Sequence, residues 1–469
     1  MPLIRDLRNQ RHSPVPYPPG DTSFRPSRAR QMLRDPLPML LDNYARHGPV
    51  FTLRLLTSKV IVLLGPEANH HLLVANASNF SWREGSMGNL IPLLGDGLLT
   101  IDGEFHRRSR KIMLPVFHRE HIAAALDTMS AETDSAMADW RSGDRVDLYV
   151  WTREVALRIA MRSLFGLDPD GPTARSMDAA HLFNDALSFY SHELPAQMLR
   201  GPRTPWQRMQ SARRQLDELI YGEISSRRRT GERGLDLLSL LLDATDEDGS
   251  RLSDRHVRDE VMTLLFAGHD TTTSTIAFMF YELSRHPEVV ARLLAEQEEL
   301  LHGGAPTGEQ LAAGELVELE QVLDETLRLY PPAWVGPRRS IEPFEVAGVR
   351  APGGAPAFYC SWASHRLPDV WDDPESFRPE RFGPEAKRAL PKGAYVPFGA
   401  GSRTCIGMRF GQLEIRTIAT ALLSRFSFEL APGYRLRVRQ QPTIGPADGL
   451  PLIISDRRPA RPGIVAAAA

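Results

Sequence analysis

From Gly103 to about Arg285, apolar residues recur at three- and four-residue spacing with almost no interruption, which decides most of what this chain can fold into. The breaks, "GLDPDGP", "GPRTP" and "DEDGS", are turn-forming punctuation between helices. Helix therefore dominates the middle of the chain, and strand-like sequence is confined to its two sides. After a helix expected over Leu37 to His47, "VFTLRLL" and "KVIVLLG" are short apolar runs divided by Thr57 and Ser58, the pattern of a hairpin. Beyond Pro331, glycine, proline and pieces such as "FEVAGVRAPGGAPAFYC" precede one last helix, opening near Cys405 and running to about Ser424. No low-complexity linker, internal repeat or charge block divides the chain. The expectation is one domain over 1–469, mainly α with a minor antiparallel β part. Residues 1–13 and 457–469 are expected as flexible tails, with "SPVPYPPG" as a stiff lead-in.

Charge and cysteine content exclude several function classes. The net charge is -2, which disfavours nucleic acid, whose binding needs a basic face to displace counterions. Two cysteines in 469 residues allow at most one bridge, which disfavours disulfide stapling and points to a reducing compartment. The first twenty residues carry charges at Arg5, Asp6 and Arg8 and no apolar run, so they read as neither signal peptide nor membrane span. A cytoplasmic protein without a membrane anchor is expected.

One of the two cysteines stands in "PFGAGSRTCIG". A glycine-rich turn entering a helix N-terminus aims free backbone N–H groups and the positive end of the dipole at a sulfur, which favours a thiolate. Spacing alone leaves a structural cysteine open. The run "FGAGSRTCIG" fits Phe-x-x-Gly-x-Arg-x-Cys-x-Gly without a gap, and here the sequence resembles the cytochrome P450 family. The resemblance implies that Cys405 is the axial thiolate ligand of a haem b iron. It also places Phe398 near the sulfur, Gly399 and Gly407 in the loop that holds the haem, and Arg403 on a propionate. A phosphate loop is the weaker reading, because "GAGSRT" neither follows a strong strand nor completes a glycine fingerprint.

Earlier lies "EVMTLLFAGHDTTTSTIAFMF", within the longest apolar helical pattern. Three consecutive threonines and a glycine are poor helix formers, so something other than propensity selects them. By itself the segment could be a buried helix with an incidental polar patch. Gly268 weakens it where Thr271 could bond back to a carbonyl, and a local bulge with room for dioxygen is expected. "AGHDTT" resembles the family's central helix, which implies that Asp270 and Thr271 deliver protons to dioxygen and that Ala267 borders the haem. The haem would lie between this helix and the helix of the cysteine loop.

In "DETLRLYPP", Glu325 and Arg328 stand three apart on one helical face, which by itself is an ordinary surface ion pair. They match the family's Glu-x-x-Arg, which implies a buried supporting network completed by Arg381 of "PERF". "GEFHRRSRKIMLPVF" resembles the haem-facing helix, with His106 and Arg110 toward propionates. Arg338 of "WVGPRRS" aligns as another propionate partner, with Arg339 the competitor, and His365 of "HRLPDVW" as structural support. The substrate pocket implied by the same alignment takes in Leu90, Ile91, Thr263, Phe266, Trp334, Val335 and Thr443. It is mostly apolar, which favours a lipophilic substrate. "HREH" offers His118 and His121 without a carboxylate to complete a zinc site, and Cys360 reads as a buried thiol.

Together these imply a haem-thiolate monooxygenase that inserts one oxygen atom of dioxygen into a lipophilic compound: a terpenoid, a fatty acid or another secondary metabolite. Electrons would come from a separate ferredoxin or flavodoxin served by an NAD(P)H reductase, docking near Arg403, Arg409 and Lys392. A monomer is the favoured state. A catalytically silent haem-thiolate sensor gains nothing from Asp270 and Thr271, and a cysteine hydrolase has no use for Glu325, Arg328 and Arg381.

Overall fold

The computed structural model describes residues 2–457 apart from 172–178, 193, 235, 246–248, 250, 303–309 and 312–313. The helical body is built around the long central helix Asp254–Leu283, which packs against Leu148–Phe165, Pro205–Thr230, Val317–Leu329 and the thiolate-loop helix Met408–Arg425. Short polar residues start these helices. Ser253 Oγ accepts the His256 N–H, Asp147 accepts those of Tyr149 and Val150, and Thr204 caps a helix that opens on Pro205. Glycines in the left-handed conformation end two of them, Gly166 (φ 58°) and Gly231 (φ 74°). The apolar faces meet in one large core that includes Phe165, Phe183, Ile224, Val257, Met279 and Ile418.

A six-stranded sheet lies beside this body, in the order Gly20–Asp21, Val50–Leu55, Ser58–Leu63, Pro356–Cys360, Val335–Ser340, Phe80–Ser81. It is mixed rather than purely antiparallel, because Gly20–Asp21 with Val50–Leu55 and Ser58–Leu63 with Pro356–Cys360 pair in parallel. The hairpin turns on Leu56 and Thr57, one residue earlier than expected, with Leu56 at φ 53°. A second core under the sheet joins Phe51, Leu53, Phe358, Trp334 and Trp362.

The amino-terminal segment expected as a flexible tail over 1–13 holds a helix. Pro2–His12 is helical. Its Asp6 pairs with Arg339 at 2.9 Å, and Asn9 Nδ2 donates to the Gly354 carbonyl at 3.0 Å. Residues 458–469 of the expected second tail lie outside the described residues. Among the described residues no helix is long and apolar enough to cross a membrane.

Candidate active site

The loop ahead of the last helix is folded by its own backbone. The Cys405 N–H donates to the Phe398 carbonyl at 2.9 Å and the Gly399 N–H to that of Val396 at 3.1 Å. Gly401 has φ 64°, and a Cβ there would lie 2.3 Å from the Leu73 carbonyl oxygen, so no larger residue fits. Gly407 (φ -87°) has no such need and caps the helix, which opens at Met408 rather than at the cysteine. Cys405 keeps solvent-accessible surface although protein surrounds it on most sides. Burial raises its thiol pKa, while the Gly407 N–H and the Arg110 guanidinium both act to lower it. Phe398 is partly buried against the main core.

The central helix presents a matching patch. Every residue from Val257 to Phe280 is buried except Ala267, Gly268 and Thr271, which share one side of the helix. A Cβ on Gly268 would meet nothing within 4 Å. The expected bulge is absent: Asp254–Leu283 is α-helical throughout, and the space comes from small side chains instead. Thr271 Oγ1 donates back to the Ala267 carbonyl at 2.7 Å, as Thr273 does to His269 and Thr275 to Thr271, so the alcohols are satisfied without unwinding. On the next side, Thr272 Oγ1 donates to Glu414 of the thiolate-loop helix at 3.0 Å, which fixes the two helices face to face.

Asp270 and Thr271 are neighbours in sequence whose side chains engage different partners. The fully buried Asp270 carboxylate accepts from the Thr443 hydroxyl and stands 3.4 Å from the Arg153 guanidinium. The Thr443 hydroxyl is thereby committed to Asp270 and not to a pocket wall.

Four basic side chains, Arg110, Arg338, Arg403 and His106, converge beside the loop. Arg403 pairs with Asp102 at 2.6 Å and donates to the Ile101 carbonyl at 2.7 Å. Arg338 is 3% exposed, and its guanidinium pKa is pushed down to about 10 by burial. Arg403 is lowered to about 10 and His106 to about 4, by burial first and then by the neighbouring guanidiniums. Such a cluster is costly with Asp102 as its acidic partner, and a group bearing two carboxylates next to a thiol would satisfy it. The donor set therefore fits a haem, whose two propionates need cations and whose iron needs the sulfur. Arg339, the alternative to Arg338, is spent on Asp6 and on the Glu84 and Gly354 carbonyls. Arg403 faces the interior, which removes it from the docking face expected for it; Arg409 and Lys392 are exposed.

Glu325 and Arg328 are fully buried and joined by two bonds of 2.7 and 2.8 Å, not a surface pair. Arg328 also donates to the carbonyls of His365, Pro374 and Ser376, and Arg381 Nε lies 3.4 Å from Glu325. All three Arg328 guanidinium nitrogens have acceptors, the condition under which a buried ion pair is tolerable, while the buried Arg381 Nε faces Glu325 without a hydrogen bond.

The expected pocket residues do not form one group. Thr263 and Phe266 are buried on the central helix, and Leu90 and Ile91 are half-buried in the segment above it. Trp334 lies in the second core against Trp362, with its indole N–H on the Gln440 carbonyl at 2.8 Å, and Val335 heads a strand. Cys360 is fully buried, its thiol pushed up to about 12. Of "HREH", His118 is exposed and the His121 side chain lies outside the described residues. Sequence reasoning missed Arg258, Asp259 and Glu260, which hold the segment near Leu90: Arg258 donates to the Leu93 and Leu94 carbonyls, while Asp259 and Glu260 accept the N–H of Asp96 and Leu98. Three adjacent charges inside an apolar helical pattern were the available signal. Trp82, Asp102, Arg153 and Glu414 carried none.

The family model described as cytochrome P450 matches residues 30–445. The chain belongs to the cytochrome P450 family. Cyclooctat-9-en-7-ol 5-monooxygenase of Streptomyces melanosporofaciens is 34% identical over 407 residues, 86% of this chain and 87% of that one. Pentalenene oxygenase of Streptomyces avermitilis is 31% identical, over 87% of this chain and 90% of its own. Among solved structures, the retinoic acid-bound cyanobacterial CYP120A1 superposes with a TM-score of 0.84 at 30% identity, covering 94% of this chain and all of that one. This P450 is accordingly a haem-thiolate monooxygenase that binds haem b, uses dioxygen and takes its electrons from a redox partner.

Proposed function

We propose that this P450 oxygenates an uncharged cyclic terpenoid, fed by a ferredoxin or flavodoxin that docks beside Arg409 and Lys392. The observation that carries the substrate class is that charged residues of the central helix are spent on the protein itself: Arg258, Asp259 and Glu260 on the backbone near Leu90, and Asp270 on Thr443 and Arg153. What remains toward the interior is Ala267, Gly268, Thr271 and neighbouring apolar residues, a surface suited to a hydrocarbon skeleton. The similarity to oxygenases named for cyclooctatin and pentalenene supports the same class.

In this reading Cys405 ligates the iron, Arg110, Arg338, Arg403 and His106 hold the propionates, and the bound haem supplies dioxygen activation. The chain's own residues supply proton handling. Thr271 keeps its hydroxyl proton on the interior face, anchored on the Ala267 carbonyl until it is needed. Asp270, once its carboxylate leaves Thr443 and takes up a proton from water, is the acid one residue away that passes that proton to Thr271. The apolar patch excludes bulk water, which would otherwise drain electrons into peroxide.

The experiment is a ferric Soret titration with cyclic sesquiterpenes, cyclic diterpene alcohols, fatty acids and steroids. Saturable low-spin to high-spin conversion with the cyclic terpenes alone is the expected result. Conversion by fatty acids with none by terpenes would overturn the class.

A further inference from the structure

The indole of Trp82 lies against two of the four basic side chains of the cofactor site. The Arg338 guanidinium stands 3.7 Å from its ring centroid and that of Arg403 5.3 Å. The fold builds this contact from three directions. Phe80 and Ser81 pair antiparallel with Ser340 and Arg339, so the next residue, Trp82, falls across from Arg338. The turn that follows, closed by the Gly85 N–H on the Trp82 carbonyl at 3.1 Å, packs tightly on the Arg338 strand. A Cβ on Gly85 would lie 2.8 Å from the Pro337 carbonyl and 2.9 Å from Arg338 Cα. Finally, the Asp102 carboxylate accepts from Ser81 Oγ at 2.7 Å, the Trp82 N–H at 3.1 Å and the Arg83 N–H at 2.8 Å. The same carboxylate pairs with Arg403.

Arg338 needs such a support. Among the described residues its hydrogen bond is to the Pro337 carbonyl at 2.9 Å, and no carboxylate pairs with it. Its head is held by that one backbone carbonyl, by the Trp82 ring and, farther off at 5.7 Å, by the Tyr359 ring, and whatever rotameric freedom these contacts leave must be lost on binding a carboxylate. A flat aromatic face against the planar guanidinium removes that freedom beforehand and compensates part of the buried charge.

We propose that Trp82 is a positioning residue of the cofactor site: its ring holds the Arg338 and Arg403 guanidiniums in the orientation that captures the haem carboxylates. The proposal rests on the assignment of those arginines to the propionates. It predicts that Trp82 acts through them and not through general packing.

The test is the rate of haem transfer from the purified holoenzyme to excess apomyoglobin, with the ferric and reduced carbonyl spectra recorded beforehand to confirm intact ligation. Trp82→Leu should speed haem loss about tenfold, the scale of one desolvated cation–π contact, while Trp82→Phe stays within about threefold of the parent. In an Arg338→Gln background, Trp82→Leu should add little further. Unchanged haem loss in Trp82→Leu, or an undiminished effect in the Arg338→Gln background, would overturn the proposal. Should Trp82→Leu yield no holoenzyme, Trp82→Phe carries the test alone, and haem loss as fast as in Arg338→Gln would overturn it. Arg338→Gln with parental haem loss would instead remove the propionate assignment itself, and the proposal with it.

Discussion

His365 Nε2 accepts the N–H of Val396 at 3.0 Å, while its Nδ1 lies 3.2 Å from the Arg328 carbonyl. One imidazole therefore ties the buried Glu325–Arg328 network to the first residues of the cysteine loop. Accepting at Nε2 places the ring proton on Nδ1, and full burial beside Arg328 pushes the pKa down to about 3.

A histidine kept neutral by the fold charges more readily in the unfolded chain, so acid pulls the equilibrium toward unfolding once pH falls below the ordinary value near 6.5. His269, also fully buried and lowered to about 3, acts in the same direction. Thermal midpoints should fall progressively from pH 6.5 toward pH 4, and His365→Gln should flatten that fall. A slope identical in the variant would show that His365 does not contribute.

Glu414 gives the opposite dependence. It is buried with Thr272 as its hydrogen-bond partner, and burial raises its pKa to about 8. The folded state then holds a proton that the unfolded chain releases near the ordinary carboxyl value, so its contribution weakens as pH rises between about 4.5 and 8. Glu414→Gln, neutral at every pH, should gain stability over the parent across that interval, on the order of 1 kcal/mol per pH unit at the steepest. Parallel stability curves from denaturant titration would contradict this.

Removing one member of the supporting network should be severe. Glu325→Gln leaves the Arg328 charge buried without its counter-ion, a cost of about 3–5 kcal/mol. The expected outcome is little soluble holoprotein, read as haem content per chain. Normal haem content and midpoint would refute the network's role.

Thr271→Ala removes the hydroxyl on the interior patch and nothing from the cofactor site. It should retain haem and substrate-induced spectral change while sending most electrons to peroxide. Product per electron equal to the parent would count against Thr271 as the proton-handling group.

The sequence was most legible where chemistry leaves short, ordered residue patterns. The cysteine loop, "AGHDTT" and Glu-x-x-Arg lie on the elements expected of them, the loop because its backbone needs the positive φ of Gly399 and Gly401, the other two because their residues are spaced along regular helices. What stayed hidden depends on contacts far apart in sequence. The orientation of Asp270 is decided by Thr443, 173 positions later, and the support of Arg338 by Trp82 across a two-residue strand. Trp334 misled because an aromatic residue near a pocket segment looks the same whether it faces a ligand or a second core. The amino-terminal helix was missed because a short polar helix is held by Asp6 and Asn9 docking on a distant strand and turn, not by propensity.

The central claim is that Cys405 supplies the thiolate to the iron, and the reduced carbonyl spectrum of parent and Cys405→Ser measures it most directly. The account predicts the thiolate-type Soret band for the parent and its loss in the variant. A variant with the parental band would contradict it.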